Sequence, residues 1–288
     1  MFREEKIELP HATLNVARGP AHGPPLVLLH GVVRRWTDYA PLLPYFTPRW
    51  EVLAVDFRGH GASSRTPGKY RVMDYVADIA DLLNTLQQPA AVYGHSLGAM
   101  VALGAAAATP DQVTSLILED PPFHTMGRRI ASTAFHSQFE GLAKIVRPGR
   151  DLESLLVDLA AVPILIPGRD APTTLGQLRD GPALRFMASC LLSLDPDVLA
   201  PIVAGAWLEG YDEQALAARV RCPTLVLEAD LAAGGMLAPG DVELLGKTIE
   251  RVATVRFPGI GHQLHWLAPD QVLRPTLAWL ESTRLAGA

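Results

Sequence analysis

Short apolar runs alternate with longer helix-like segments along most of this chain, and this alternation constrains the fold more than any other feature. The runs are typical of buried strands and comprise residues 26–29, 52–55, 90–93, 115–118, 224–227 and 252–257. Between the second and third runs, apolar residues recur every three or four positions over 72–87, which predicts a helix. Such alternation is typical of βαβ units, so the sequence predicts an α/β fold with a mostly parallel sheet.

The alternation stops between Pro121 and Arg221. This block keeps helix-like apolar spacing, but prolines interrupt it repeatedly and no clear strand is visible. We therefore predict a helical cap inserted between two strands of the sheet. The predicted division is a core domain formed by residues 1–120 and 221–288, with the cap formed by residues 121–220.

The strongest chemical signal is the sequence GHSLG at residues 94–98, which directly follows the run 90–93. An alanine-rich and glycine-rich segment follows it up to Ala108 and is suited to a buried helix. A strand before and a helix after this motif are the context that a nucleophile elbow requires. The sequence therefore predicts that Ser96 is a nucleophile.

A nucleophilic serine needs a base and an orienting acid. The loop PGIGHQLHW, residues 258–266, offers His262 as the base, whereas His265 is expected to pack or to hydrogen-bond. Two aspartates end strands between the serine and this histidine. Asp230, which closes TLVLEAD, is the predicted acid, and Asp120, which closes SLILED, is the alternative.

The oxyanion of such a reaction needs two backbone donors. We predict the N–H groups of Leu97, at the start of the helix, and Val32, in the loop after the first parallel strand. Candidate substrate-binding residues near these loops and in the cap are Val33, His95, Phe123, His124 and Trp207. Arg34 and Arg35 follow the oxyanion loop and could bind a substrate carboxylate, while His30 and His60 are expected to be structural.

Several of these motifs occur together in the order and spacing of one large family. LLHG at 28–31, DFRGHGASS at 56–64, GHSLG at 94–98, PTLVLEAD at 223–230 and GIGHQLHW at 259–266 resemble those of the α/β-hydrolase superfamily. The resemblance extends over roughly 1–120 and 221–288. It implies an eight-stranded, mostly parallel sheet with a helical cap, and Ser96, Asp230 and His262 as the triad. Epoxide hydrolases and haloalkane dehalogenases of this fold use aspartate at the elbow, so Ser96 argues against both activities.

The chemistry predicted from these residues is hydrolysis of a carboxylic ester or lactone of a small to medium apolar substrate, through an acyl-enzyme and without a metal or cofactor. One alternative keeps the triad but makes the chain a C–C bond hydrolase of ring-cleavage products, or a cofactor-free perhydrolase. Another is a ligand sensor of the same fold, in which turnover is slow.

Composition narrows the partners and the compartment. A net charge of −5 gives no electrostatic reason to expect nucleic acid or a membrane surface, so the predicted partner is a small molecule, and an oligomer is possible. The first ten residues lack an apolar run, and no apolar stretch of about 18 residues exists. Cys190 and Cys222 match no metal or redox spacing. Together these features favour a cytoplasmic protein.

Overall fold

The predicted apolar runs form strands of one eight-stranded sheet in the computed structural model, which describes residues 2–168 and 171–286. The sheet order is β1-β2-β4-β3-β5-β6-β9-β10; β1 and β2 run antiparallel to their neighbours and the other pairs are parallel. Its strands are β1 Arg3–Glu8, β2 Thr13–Arg18, β3 Pro25–Leu29, β4 Glu51–Asp56, β5 Ala90–His95, β6 Val113–Glu119, β9 Thr224–Ala229 and β10 Val252–Phe257. The prediction of an α/β fold with a mostly parallel sheet is confirmed.

Helices cover both faces of this sheet, as its apolar strands require. The α-helices are α1 Leu43–Phe46, α2 Val72–Thr85, α3 Leu97–Ala108, α4 Ala134–Ile145, α5 Leu152–Ala161, α6 Leu175–Leu178, α7 Gly181–Leu191, α8 Ala200–Val203, α9 Glu213–Ala217, α10 Pro239–Thr248, α11 Leu264–Leu267 and α12 Pro269–Ala286. Two apolar clusters result: one includes α2 and α3, and the other includes α1 and α12. The strands β3 and β5 between them are completely buried.

The small residues of α3 let this helix lie deep in the molecule. All of its residues except the last are buried. A side chain at Gly104 would bring its Cβ within 2.5 Å of Val76 on α2, so the glycine permits the two helices to pack closely. This close packing fixes the first turn of α3, which follows Ser96.

The segment between β6 and β9 contains helices α4 to α9, but it also contains two short strands that the sequence did not reveal. They are β7 Pro163–Ile164 and β8 Thr173–Thr174, which pair antiparallel. The expectation that this block has no strands is therefore wrong, because two residues per strand are too few to show a periodicity. The domain division at 120 and 221 stays a prediction.

Within residues 2–168 and 171–286, no single helix is long and apolar enough to cross a bilayer. The helical segments Gly181–Leu191 and Pro196–Val203 together have the length and composition of a membrane span, but they are bent by 110° relative to each other.

Candidate active site

Ser96 lies on the sharp turn between β5 and α3. Its backbone has φ 56° and ψ −117°, a region that residues with a side chain rarely adopt. Such strain costs on the order of 1–3 kcal/mol and persists only where the surrounding structure enforces it. The N–H of Ser96 donates to the carbonyl of Glu119 on β6, at 2.9 Å, which holds the turn against the neighbouring strand.

The flanking glycines make this turn possible because backbone occupies the space where their side chains would be. A Cβ at Gly94 would lie 2.0 Å from the carbonyl oxygen of Gly98. A Cβ at Gly98 would lie 1.9 Å from the carbonyl oxygen of Leu29 on β3. Neither distance is compatible with a side chain, so the motif GHSLG has the local geometry of a nucleophile elbow.

His262 and Ser96 line the same pocket, and His262 is held there by Asp120. The ring Nδ1–H of His262 donates to Oδ2 of Asp120 at 2.6 Å. Asp120 is fully buried, and its carboxylate also accepts the backbone N–H groups of Met236 and Leu237, at 2.8 and 3.0 Å. A buried carboxylate with these partners fixes the orientation of the imidazole, as a triad acid does.

Asp230 does not contact His262, so the predicted position of the orienting acid is corrected from Asp230 to Asp120. The carboxylate of Asp230 accepts the N–H of Ala232 at 2.9 Å and that of Gly259 at 2.7 Å. Asp230 is partly exposed and lines a shallow surface pocket with Arg256 and Pro258. The physical reason is its role as N-cap of the short 3-10 helix that follows it, which turns the carboxylate away from the catalytic pocket.

The predicted oxyanion donors belong to two segments next to Ser96: Leu97 directly follows it at the start of α3, and Val32 lines the pocket that contains it. Among the described backbone hydrogen bonds outside helices and strands, neither N–H group has a protein acceptor. The loop of Val32 approaches the elbow closely: a Cβ at Gly31 would lie 3.3 Å from Cβ of Ser96. A histidine stabilises this loop, since the N–H of Val33 donates to Nε2 of His60 at 3.3 Å.

The pocket includes part of the predicted substrate-binding set. Val33, His95 and Trp207 line it, whereas Phe123 and His124 are absent from its described lining. Phe123 is buried in the apolar cluster, and Nε2 of His124 lies 2.8 Å from Oε1 of Glu213, so packing and this polar contact hold both side chains away from the pocket. Met126 and Met187, which the sequence offered as further cap residues that could line an apolar pocket, line it too. Sequence reasoning did not assign the remaining lining residues, namely Gly31, Phe135, Gln138, Phe139, Arg179, Met236 and Gln263.

A buried ionic network lies directly behind this pocket. Nδ1 of His265 is 2.7 Å from Oε1 of Glu119, and its Nε2 is 3.4 Å from Oδ2 of Asp38. Tyr93 donates its hydroxyl to Glu119 at 2.5 Å, and Trp266 donates its indole N–H to Asp38 at 2.9 Å. Sequence analysis expected His265 to hydrogen-bond but gave no signal for Asp38, whose partners come from distant parts of the chain.

The network fixes the charge of its histidine. Burial opposes the charged imidazole of His265, but the carboxylates of Glu119 and Asp38 outweigh it and raise the pKa of His265 to about 10. By contrast, burial lowers the pKa of His95 to about 3, so His95 is neutral. The Nε2–H of His95 donates to the backbone carbonyl of His262 at 3.0 Å. His95 thus connects the nucleophile elbow to the loop that carries the base.

Replacing His265 by Gln is expected to lower the free energy of unfolding by about 3–5 kcal/mol at neutral pH, because two buried carboxylates lose their cation. His136→Gln, which removes a partly exposed ion pair with Glu140, is the control and should cost less than about 1 kcal/mol. Urea unfolding measures both. The raised pKa of His265 contributes stability that is fully present below pH 6.5 and is lost as the pH rises through about 10. The difference in free energy of unfolding between the wild type and His265→Gln should therefore become smaller at alkaline pH. Equal losses in the two variants would contradict a charged His265.

Comparisons with known proteins agree with this geometry at the level of fold. Residues 24–149 match the family model described as alpha/beta hydrolase fold. The chain is 38% identical over 120 residues to 2-(acetamidomethylene)succinate hydrolase of Mesorhizobium japonicum, a match that covers 41% of this chain and 43% of that protein. It is 28% identical over 276 residues to the magnesium-chelatase 30 kDa subunit of Rhodobacter capsulatus, covering 91% of this chain and 89% of that protein.

Solved structures extend the likeness to the whole chain. The crystal structure of E-2-(acetamidomethylene)succinate hydrolase superimposes with a TM-score of 0.74 at 22% identity, over 98% of this chain and 100% of that chain. At this identity the likeness concerns the fold alone. The sheet order, the elbow at Ser96 and the buried His262–Asp120 pair are thus features of a chain with the α/β-hydrolase fold.

Proposed function

Because this chain belongs to the α/β-hydrolase superfamily, we propose that it is a serine hydrolase whose triad is Ser96, His262 and Asp120. The observation that carries the proposal is the strained elbow of Ser96 in one pocket with a histidine that a buried carboxylate orients. Strain of this kind clusters at functional sites, and the histidine–carboxylate pair supplies the base that a serine needs.

In the proposed reaction, Oγ of Ser96 attacks the carbonyl carbon of a carboxylic ester or lactone while Nε2 of His262 takes its proton. Asp120 stabilises the resulting imidazolium through Nδ1–H. The N–H groups of Leu97 and Val32 bind the oxyanion, and each such donor contributes about 10²–10³ in rate. His262 then protonates the leaving alkoxide, and water attacks the acyl-enzyme with His262 as base, releasing the acid and restoring Ser96.

The substrate is proposed to be a small molecule of small to medium size, enclosed by the helical segment 121–220. Apolar side chains from this segment, among them Phe135, Phe139 and Trp207, line the pocket. Closure of such a segment excludes bulk water and strengthens the electrostatic interactions of the site. The proposed setting is cytoplasmic.

Hydrolysis of p-nitrophenyl acetate, butyrate and octanoate tests the proposal. We expect release of p-nitrophenolate from the shorter esters, with a burst equal to the enzyme concentration for any ester whose acyl-enzyme is hydrolysed more slowly than it forms. The value of kcat/KM should be lower for octanoate than for butyrate by about 10-fold, because the enclosed pocket leaves several methylene groups without contacts. Rapid-mixing absorbance measurements give both numbers. No hydrolysis of any of the three esters would argue against a simple esterase.

A second candidate is hydrolysis of a C–C bond in a carboxylate-bearing ring-cleavage product. It is favoured by Arg34, which lines the pocket beside the elbow and could bind such a carboxylate. The Mesorhizobium relative is also named for a substituted succinate, a dicarboxylate. Loss of dienoate absorbance without turnover of p-nitrophenyl esters would favour this candidate over the first.

A third candidate is a ligand sensor with slow turnover. The Rhodobacter relative, which matches nearly the whole chain, is named as a subunit rather than as a hydrolase. Tight binding of a ligand that contains an acyl bond, together with negligible release of product over hours, would favour this role.

A further inference from the structure

Two arginines from separate parts of the chain meet at the pocket that contains Ser96 and His262. Arg34 follows the oxyanion loop after β3, and it is buried. Arg179 follows α6 and is exposed at the pocket wall. Both residues line this one pocket, so a single bound ligand could contact both side chains.

Within the described ranges, Arg34 has a carboxylate at ion-pair distance and Arg179 has none. The nearest carboxylate to Arg34 is Asp38, whose Oδ1 lies 3.8 Å from Nε and already accepts the indole N–H of Trp266. For Arg179, no carboxylate within the described ranges lies at ion-pair distance. Surrounding protein atoms, and then Arg34, lower the pKa of Arg179, although an arginine remains charged at neutral pH.

The rest of the pocket wall adds no negative charge. Its described lining contains no aspartate or glutamate, and Gln138 and Gln263 are its neutral polar members. His95 is neutral because burial lowers its pKa to about 3. Two like charges at a partly desolvated site are unfavourable unless an anion joins them. The described lining of the pocket therefore carries positive charge, which favours an anionic ligand.

We propose that Arg34 and Arg179 form a carboxylate-binding subsite, so that the substrate is an acyl compound with a second, anionic carboxylate a few atoms from the bond that Ser96 attacks. This inference rests on the proposed function. Guanidinium groups suit the role because their planar N–H donors match both oxygens of a carboxylate. Arg34 comes from the core and Arg179 from the segment 121–220, so the bound carboxylate would join the two.

The test compares two p-nitrophenyl esters of equal shape: the monoester of adipic acid, which ends in a carboxylate, and 6-methylheptanoate, which ends in an isopropyl group. The wild type should prefer the adipate ester. Arg179→Met should lower kcat/KM for the adipate ester by about 10- to 100-fold and leave the neutral ester within about 2-fold, because a charge-assisted hydrogen bond is lost from only one of them. Arg179→Lys should retain part of the preference.

Arg185→Met is the matched control, since Arg185 lies on α7 of the same segment, paired with Glu153 at 2.7 Å, and does not line the pocket. It should leave both esters unchanged. A second readout is the rate at which a fluorophosphonate labels Ser96: adipate should slow labelling of the wild type and of Arg185→Met, but not of Arg179→Met.

Two outcomes would overturn the subsite. The first is that the wild type has equal kcat/KM for the two esters and that Arg179→Met changes both values alike. The second applies if neither ester is hydrolysed: adipate then fails to slow the labelling of Ser96 in the wild type. In either case the serine hydrolase stands. Absence of both ester hydrolysis and fluorophosphonate labelling would instead contradict the proposed function, and the subsite with it.

Discussion

Replacing Ser96 by Ala is expected to lower kcat for the best p-nitrophenyl ester by about 10⁶-fold, to a level at which only the oxyanion donors and binding contribute. The reason is chemical: alanine has no oxygen to attack the carbonyl, and water is poorly positioned to replace it. The backbone at this position has φ 56°, which alanine adopts no more readily than serine, so the fold should be retained. Steady-state hydrolysis and fluorophosphonate labelling both measure the loss.

Ser193→Ala serves as the matched control, because Ser193 donates its hydroxyl to the carbonyl of Cys190 at 3.0 Å and does not line the pocket. It should keep full activity. Thermal unfolding of both variants shows that the proteins are folded. If Ser96→Ala retained more than about a tenth of the wild-type kcat, Ser96 would not be the nucleophile, because an acyl-enzyme cannot form without its oxygen.

Asp120→Asn is expected to lower kcat by about 10⁴-fold while leaving substrate binding little changed. Three donors face the two oxygens of Asp120, and an asparagine has only one acceptor oxygen, so its amide N–H₂ opposes either His262 and Met236 or Leu237. The ring of His262 is then no longer held in the tautomer and orientation in which Nε2 accepts the proton of Ser96. Measuring the pH–rate profile and KM of the variant beside those of the wild type separates loss of the His262 tautomer from loss of substrate binding.

Asp230→Asn tests the same question from the other side. This carboxylate accepts the N–H groups of Ala232 and Gly259 outside the pocket, so the variant should keep kcat within about 3-fold of wild type. The reverse pattern, an active Asp120→Asn and an inactive Asp230→Asn, would show that the loop after β9 moves to bring Asp230 to His262 during catalysis.

The contrast between Ser96 and the acid shows what the sequence could predict. The elbow is local: Gly94 and Gly98 stand two residues from Ser96 because neighbouring backbone fills the space of their side chains. The strand before and the helix after were also visible as apolar patterns. Everything needed to identify Ser96 thus lay within about 20 residues, where periodicity and turn chemistry are informative.

The acid could not be chosen in this way, because two aspartates follow neighbouring strands. β6 and β9 are parallel and adjacent, with Glu119 paired with Leu227, so Asp120 and Asp230 emerge at the same edge of the sheet. Which of them reaches His262 depends on loop conformation: the N–H groups of Met236 and Leu237 fold back onto Asp120. This is a long-range contact without a sequence signature.

The pocket wall was the least predictable part for a related reason. Phe123 and His124 were expected there as residues of the cap, whereas Arg179 and Met236, which no sequence pattern assigned to the pocket, reach it from far along the chain. Their arrival depends on how helices α4 to α9 pack on the sheet, and helical periodicity fixes only which face of each helix is apolar.

The position of Asp120 limits where the segment 121–220 could be exchanged for that of a related protein. The proposed orienting acid is the first residue after β6, and the chain enters the segment 121–220 immediately beyond it. The entrance is fastened to the core by Thr125, whose hydroxyl donates to the carbonyl of Met236 at 2.7 Å, and by Arg129, which pairs with Asp241. A chimaera that exchanges this segment for another would keep a working acid only if the crossover lay beyond Arg129, because Met236 is also the residue whose N–H holds Asp120.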